Sequence, residues 1–253
     1  LFYQDIVMES MSYIMSFARL APVQCLSFGH PDTTGVPNMD YFVSSELFEP
    51  EGAAAHYSEK LFLLRDLGTL AYYYRPQLQQ PPKSRAQLGL PRDAHLYICP
   101  QTLFKLHPDI DALFAGILRA DPLGRIVLIE GKYPQWAVWL RRRFAQTMPD
   151  VLDRVIFLKQ MGAADFINLL AVADVSLDTP HFNGMNTNLE AFAVGTPVVT
   201  LAGDFQRGRH TCGMYRKMGL GDCVAGDAGD YVRIALRLGT EPAWRGKVSR
   251  SIL

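Results

Sequence analysis

From residue 95 to residue 225 the chain alternates short β-rich runs with helical stretches, and this alternation restricts the fold more than any other feature. The runs 95–100 (HLYICP), 125–131 (RIVLIEG), 154–158 (RVIFL), 175–178 (VSLD), 197–201 (PVVTL) and 222–225 (DCVA) read as strands. Most are near-continuous apolar runs, the pattern of strands whose two sheet faces are both covered. Between them, 108–120, 133–147, 163–173, 186–194 and 209–218 carry helical periodicity; Pro108 suits a first helical turn, and Gly195 and Gly219 suit helix ends. Six strands with five intervening helices predict an α/β domain built on a doubly wound parallel sheet of the Rossmann type.

The first 78 residues are thinner in such signals. Strands are expected at 5–8, 23–28 and 39–44, a helix at 10–20 and a partly helical segment at 53–67. Three strands make an undersized Rossmann-like unit, so the segment reads as the C-terminal remainder of a first domain. The proline- and glutamine-rich stretch 75–84 (RPQLQQPPKS) reads as a linker, which sets the domains at 1–78 and 79–253. After residue 226 helical periodicity returns around a break at Pro242.

Charge and cysteine content narrow the partners. Lys and Arg number 25 against 25 Asp and Glu, so the chain lacks the net basic charge that nucleic-acid and anionic-membrane binders use. The four cysteines are far apart and form neither a CxxC pair nor a disulfide-dense pattern, as expected of reduced thiols in a cytoplasmic protein. No run approaches the roughly 18 apolar residues of a membrane span, and the N-terminus lacks the basic-then-apolar pattern of a signal peptide. GxSxG, Walker, HExxH and DxD motifs are absent, so no resident metal or cofactor is expected. The cluster Arg141, Arg142, Arg143, after Trp136 and Trp139, reads as a solvated helix face.

The stretch most informative about chemistry is 177–197, LDTPHFNGMNTNLEAFAVGTP. A strand ends at Asp178, a small polar loop with Asn183 and Gly184 follows, and a helix begins near Asn186 to Asn188. Free N–H groups and the positive dipole end make such a helix start a seat for an anion such as a pyrophosphate. Glu190, just behind, can accept hydrogen bonds from ribose hydroxyls. The alternative reading is structural: Asn186 or Asn188 as N-cap and Glu190 as a first-turn acid.

These residues resemble the donor-binding segment of the O-GlcNAc transferase family. FARLAPVQCLSFGHPDTTGVPNMDYFVSS and HYSEKLFLL resemble that family's segment running from an APIQ-type strand to a YSEKL motif, and QTLFKLHPD resembles its pyrophosphate-lysine loop. The GHPDTTG and KLHP versions are similar to the bacterial branch that includes the cytoplasmic adhesin N-glucosyltransferases. The resemblance runs from about residue 5 to about residue 238.

It implies a GT-B-like fold, with a complete C-terminal Rossmann-type domain and a partial N-terminal one. It also implies inverting, metal-independent transfer of GlcNAc or glucose from a UDP-sugar to a protein Ser/Thr or Asn side chain. Lys105 then matches the lysine at the β-phosphate, in the loop that Gln101 opens. Gly184, Met185, Asn186 and Thr187 match the pyrophosphate segment, Met185 standing where the animal enzymes have histidine. Glu190 matches the ribose acid. Phe166 stands where the animal enzymes have a histidine near the uridine; it is read either as a base-stacking ring or as core. His30, in GHPDTTG, is read either as a cleft residue acting with Lys105 in catalysis or as a turn residue, with Thr33, Thr34 and Gly35 in the same loop. The family's best candidate for a general base is a histidine of an earlier segment, so the resemblance assigns that role to no residue here. His181 and His210 read as ordinary polar loop residues. The implied partners are the UDP-sugar and an acceptor protein or peptide, and an uncovered sheet edge would favour a homo-oligomer. The other readings are a non-catalytic nucleotide-sugar-binding module and a GT-B-like UDP-sugar epimerase.

Overall fold

The computed structural model describes residues 1–6, 8–69 and 72–253, and within them two parallel sheets face each other across a cleft. The first has four strands in the order β1-β2-β3-β4: Phe2–Tyr3, Cys25–Ser27, Tyr41–Ser45 and Lys60–Leu64. Helix α1 (Ser10–Ser16) joins β1 to β2.

Two expectations for this region are corrected. The first strand lies at Phe2–Tyr3, paired with Cys25 and Leu26, instead of at 5–8; Val7 of that expected strand lies outside the described residues. The segment 53–67 is a 3-10 turn at Ala53–His56 followed by β4, whose five residues pair in register with β3. The run KLFLL has no strong local preference, and pairing along a neighbouring strand decides its conformation. As an edge strand it leaves Phe62 and Leu63 exposed, which blurs the period-2 signal.

The second sheet has six parallel strands in the order β10-β9-β8-β5-β6-β7. They are β5 (His95–Cys99), β6 (Gly124–Ile129), β7 (Val155–Leu158), β8 (Val175–Leu177), β9 (Val198–Leu201) and β10 (Val224–Ala225). The crossovers are α2 (Asp109–Ala120), α3 (Pro134–Thr147), α4 (Ala163–Val172), α5 (Asn186–Ala193) and α6 (His210–Met218). Each expected strand and helix of this half lies within two residues of its observed bounds. Helices α7 (Ala228–Thr240) and α8 (Pro242–Ile252) follow on either side of the expected break, with Pro242 at the first position of the second helix.

The expected run of apolar strand residues has its cause in burial: Leu96, Tyr97, Ile98, Cys99, Ile126, Val127 and Leu128 are all inaccessible or nearly so. Counted within this sheet, the strand order is that of the dinucleotide-binding folds, and it reverses between β5 and β8. The carboxyl ends of those two strands are therefore where a ligand is expected.

One segment, Gln206 to Lys217, holds the two sheets together. Gln206 Nε2 donates to Ser44 Oγ (2.8 Å), Arg207 pairs with Asp32 (2.5 Å) and Arg209 Nε donates to the Phe48 carbonyl (2.7 Å). Lys217 pairs with Asp66 (2.6 Å). Met185 packs against the cores of both sheets, so the cleft closes around the start of α5.

Candidate functional site

A cavity of about 680 Å³ opens at the strand-order reversal. Its C-terminal wall comes from the loop after β5 (Gln101, Thr102, Phe104, Lys105) and from the loop after β8 with the start of α5 (Phe182, Asn183, Met185, Asn186, Thr187). The opposite wall is Ser27, Phe28, Gly29, His30 and Pro31 from the end of β2, joined by Phe2 and Gln4. Lys105, His30, Gln101, Met185, Asn186 and Thr187 thus line one space.

Lys105 is half-buried. Its Nζ donates to the Asn183 carbonyl (3.1 Å), lies 3.4 Å from Gln101 Oε1 and sits 4.4 Å from the centre of the Phe182 ring. Burial pushes its pKa down, while the Asp178 carboxylate pulls it back up. Gln101 uses its other end to donate from Nε2 to Thr187 Oγ1 (2.6 Å), so one amide bridges the two loops. The first N–H groups of α5, behind Met185, have no intrahelical acceptor by helix geometry, and they open beside this bridge.

A buried carboxylate sets the shape of the loop after β8. Asp178 Oδ1 accepts from the Gly184 N–H (2.9 Å), and Oδ2 accepts from Thr200 (2.9 Å) and Thr211 (2.6 Å). Its burial raises its pKa, and these hydrogen bonds act against that rise. Asn188 Nδ2 donates to the Gly184 carbonyl (2.9 Å) and to Thr211 Oγ1 (2.6 Å). The Gln101–Thr187 bridge packs directly over Gly184, where a Cβ would lie 2.0 Å from Gln101 Nε2 and 2.4 Å from Thr187 Oγ1 and would displace those side-chain ends.

Several expected residues do not line this larger cavity. Gly184 does not line the cavity, and its amide is taken by Asp178. Glu190 accepts a hydrogen bond from Tyr73 (2.8 Å), which pins the connecting segment to α5; burial and then this contact push the Tyr73 hydroxyl up to about 12. Phe166 belongs to a second cavity of about 300 Å³ with Ile129, Glu130, Gln160 and Met161. That cavity adjoins the first through shared Pro100, Gln101 and Thr102. Thr33 and Thr34 turn toward Glu59, accepting no place in the cavity wall: Thr33 Oγ1 donates to Glu59 Oε2 (2.7 Å) and the Thr34 N–H to Oε1 (2.9 Å). Burial raises the Glu59 pKa, but the threonine hydrogen bonds outweigh it and hold the carboxyl below its ordinary value.

Sequence reasoning missed two residues with a part in this site. His210 is buried against Phe28 and Phe48, with no hydrogen-bond partner on either ring nitrogen among the described residues, instead of standing in a polar loop. Burial, helped by the Lys105 charge, lowers its pKa to about 3, so it forms a neutral part of the cavity wall. Arg143 is no solvated side chain. It makes a two-point pair with Asp111 (3.0 and 2.8 Å) and donates to the Leu106 carbonyl (2.9 Å), anchoring the loop that carries Lys105. An Arg–Arg–Arg run gives no sign of which member finds a buried acid 32 residues away.

Among the described residues no helix is long and apolar enough to cross a membrane. The model of a known family, Glycosyl transferase family 41, matches residues 77–252. The chain is 32% identical over 185 residues to the Arabidopsis thaliana probable UDP-N-acetylglucosamine–peptide N-acetylglucosaminyltransferase SEC, covering 72% of this chain and 19% of that protein. It is 28% identical over 243 residues to the Arabidopsis thaliana protein of the same description named SPINDLY, covering 92% of this chain and 25% of that protein. Among solved structures, an O-GlcNAc transferase mutant of Thermobaculum terrenum superposes with a TM-score of 0.79 at 29% identity, over 94% of this chain and 45% of that one. The Thermosynechococcus elongatus sucrose-phosphate synthase shares the fold, with a TM-score of 0.61 at 18% identity over 90% of this chain and 61% of that one. The chain therefore spans about a fifth to a quarter of the curated relatives it matches, and under half of the first of these structures. With the family model covering well over half of its residues, the chain belongs to glycosyl transferase family 41.

Proposed function

We propose that this chain carries the donor-binding part of a glycosyltransferase that moves GlcNAc or glucose from a UDP-sugar to a Ser/Thr or Asn side chain of a protein, with inversion and without a metal in the reaction. The observation that carries this reading is the meeting of the Lys105 ammonium and the start of α5 in one cavity at the strand-order reversal. The printed descriptions of the plant relatives, which name UDP-N-acetylglucosamine and a peptide, support the donor and acceptor classes.

In this reading the acceptor oxygen or nitrogen attacks the anomeric carbon from the face opposite the nucleotide. The bond to the β-phosphate oxygen breaks, and its electron pair leaves with UDP. Groups that hold negative charge more tightly in the transition state than in the bound substrate lower the barrier. Lys105 is suited to this because its half-buried ammonium is already fixed by Asn183 and Gln101 and needs no reorientation as charge develops. The amides of Asn186 and Thr187 supply the second set of donors. Uracil then enters the smaller cavity beside Phe166, and Gln101 and Thr102 lie where the two cavities meet. His30, across the cleft, faces the sugar and the acceptor.

The test is transfer from radiolabelled UDP-GlcNAc or UDP-glucose to a peptide library containing Ser, Thr and Asn, with wild type and Lys105→Ala, in buffer containing EDTA. The reading expects label on peptide with wild type only, and a product with the anomeric configuration opposite to the donor. Retention of configuration, or equal transfer by the variant, would refute it.

A further inference from the structure

The loop after β5 and the loop after β8 meet a second time outside the cavity, at three exposed side chains: His107, Asp109 and His181. His107 lies two residues beyond Lys105, and His181 two residues before Asn183, whose carbonyl accepts from Lys105. None of the three lines the larger cavity. Their ligand atoms converge on one point: Asp109 Oδ2 lies 2.7 Å from His181 Nε2 and 3.3 Å from His107 Nδ1, and all three atoms are within 4.8 Å of one another. The two imidazole rings stand 4.6 Å apart, edge to face.

We propose that His107, Asp109 and His181 form a binding site for a divalent transition-metal ion, Zn²⁺ foremost, that clasps together the two loops forming the anion-binding wall.

Ligand chemistry and spacing carry the proposal. Two imidazoles and one carboxylate suit Zn²⁺, Cu²⁺ or Ni²⁺, whereas Mg²⁺ and Ca²⁺ take oxygen ligands. With metal–ligand bonds of about 2.0–2.1 Å, neighbouring donors of a tetrahedral Zn²⁺ site lie about 3.3 Å apart. The Asp109–His107 separation of 3.3 Å matches that value, the Asp109–His181 separation of 2.7 Å is shorter, and exposed side chains can adjust it and the third by small rotations. The Asp109 N–H approaches His107 Nδ1 at 3.3 Å, a weak contact that ligation of a metal by this nitrogen would replace. Three protein ligands leave a fourth position for water, and the ion would join the start of α2 to the loop after β8 without entering the transfer chemistry.

The experiment is calorimetric titration of the full chain with ZnCl₂, and with MgCl₂ for comparison, in buffer free of nucleotide, so that its outcome does not depend on the donor reading. A Cys25→Ser background removes a half-exposed thiol as a competing ligand. One Zn²⁺ per chain is expected, with affinity reduced about tenfold or more in His107→Ala and His181→Ala, and no comparable Mg²⁺ binding. Co²⁺ should give the visible absorption of a four-coordinate site, lost in the double variant. Melting temperature should rise with Zn²⁺ in the parent and not in the double variant. Zn²⁺ binding of unchanged stoichiometry and affinity in the folded double variant, or no Zn²⁺ binding beyond that of Mg²⁺, would overturn the proposal.

Discussion

Gly184 makes the site's tolerance for change small. A methyl group there would meet both Gln101 Nε2 and Thr187 Oγ1, the two atoms of the bridge between the loops, so Gly184→Ala must open that bridge. We expect a loss of about 1–3 kcal/mol of stability in urea denaturation, with weaker UDP binding. His210 makes a separate, pH-dependent contribution. Its imidazole takes a proton near 6.5 when unfolded and only near 3 when folded, so the unfolded state binds the extra proton between those values and stability falls as pH drops. From pH 7 to pH 5 this residue alone should remove about 2 kcal/mol, and His210→Phe should abolish that share of the acid sensitivity while costing little at pH 7. Denaturation of both proteins at the two pH values measures it. That Lys105, Asn186 and Thr187 line one cavity was legible in the sequence, because motif and helix start coincide there. The hydrogen bond from Tyr73 to Glu190, 117 residues away in sequence, and the division of the cleft into two cavities were not legible, being tertiary facts without a local signature.

At the scale of elements, the second sheet was legible almost throughout because its strands are buried on both faces and its helices are punctuated. The first sheet was not. Its strands are as short as two residues, and β4 is an exposed edge whose form is set by pairing. Helix α3 carries the least legible contribution, since Arg143 reaches across to α2 and to the loop bearing Lys105. Lysine cannot reproduce the two-point contact with Asp111 and the bond to the Leu106 carbonyl together. Arg143→Lys should therefore destabilise the protein by about 1–3 kcal/mol, whereas Arg142→Lys, on the exposed side, should stay within about 0.5 kcal/mol. Thermal unfolding of the two variants side by side checks the contrast.

For the whole molecule, the cleft exists because the segment from Gln206 to Lys217 fastens one sheet to the other. Arg209→Ala would leave the Phe48 and Gly203 carbonyls without their donor and loosen that attachment. A protease should then cut the connecting segment around residues 75–84 faster than in wild type; an unchanged rate would mean the other contacts suffice. The central claim is that Lys105 and the start of α5 hold one diphosphate between them. Calorimetric titration with UDP, comparing wild type with Lys105→Ala, tests it most directly. Losing a charge-assisted contact of about 1.5–3 kcal/mol predicts affinity about 10- to 100-fold weaker in the variant. Because burial lowers the lysine's pKa, wild-type affinity should also begin to fall at a lower alkaline pH than a free lysine would give. Equal UDP affinity in the two folded proteins would contradict the account.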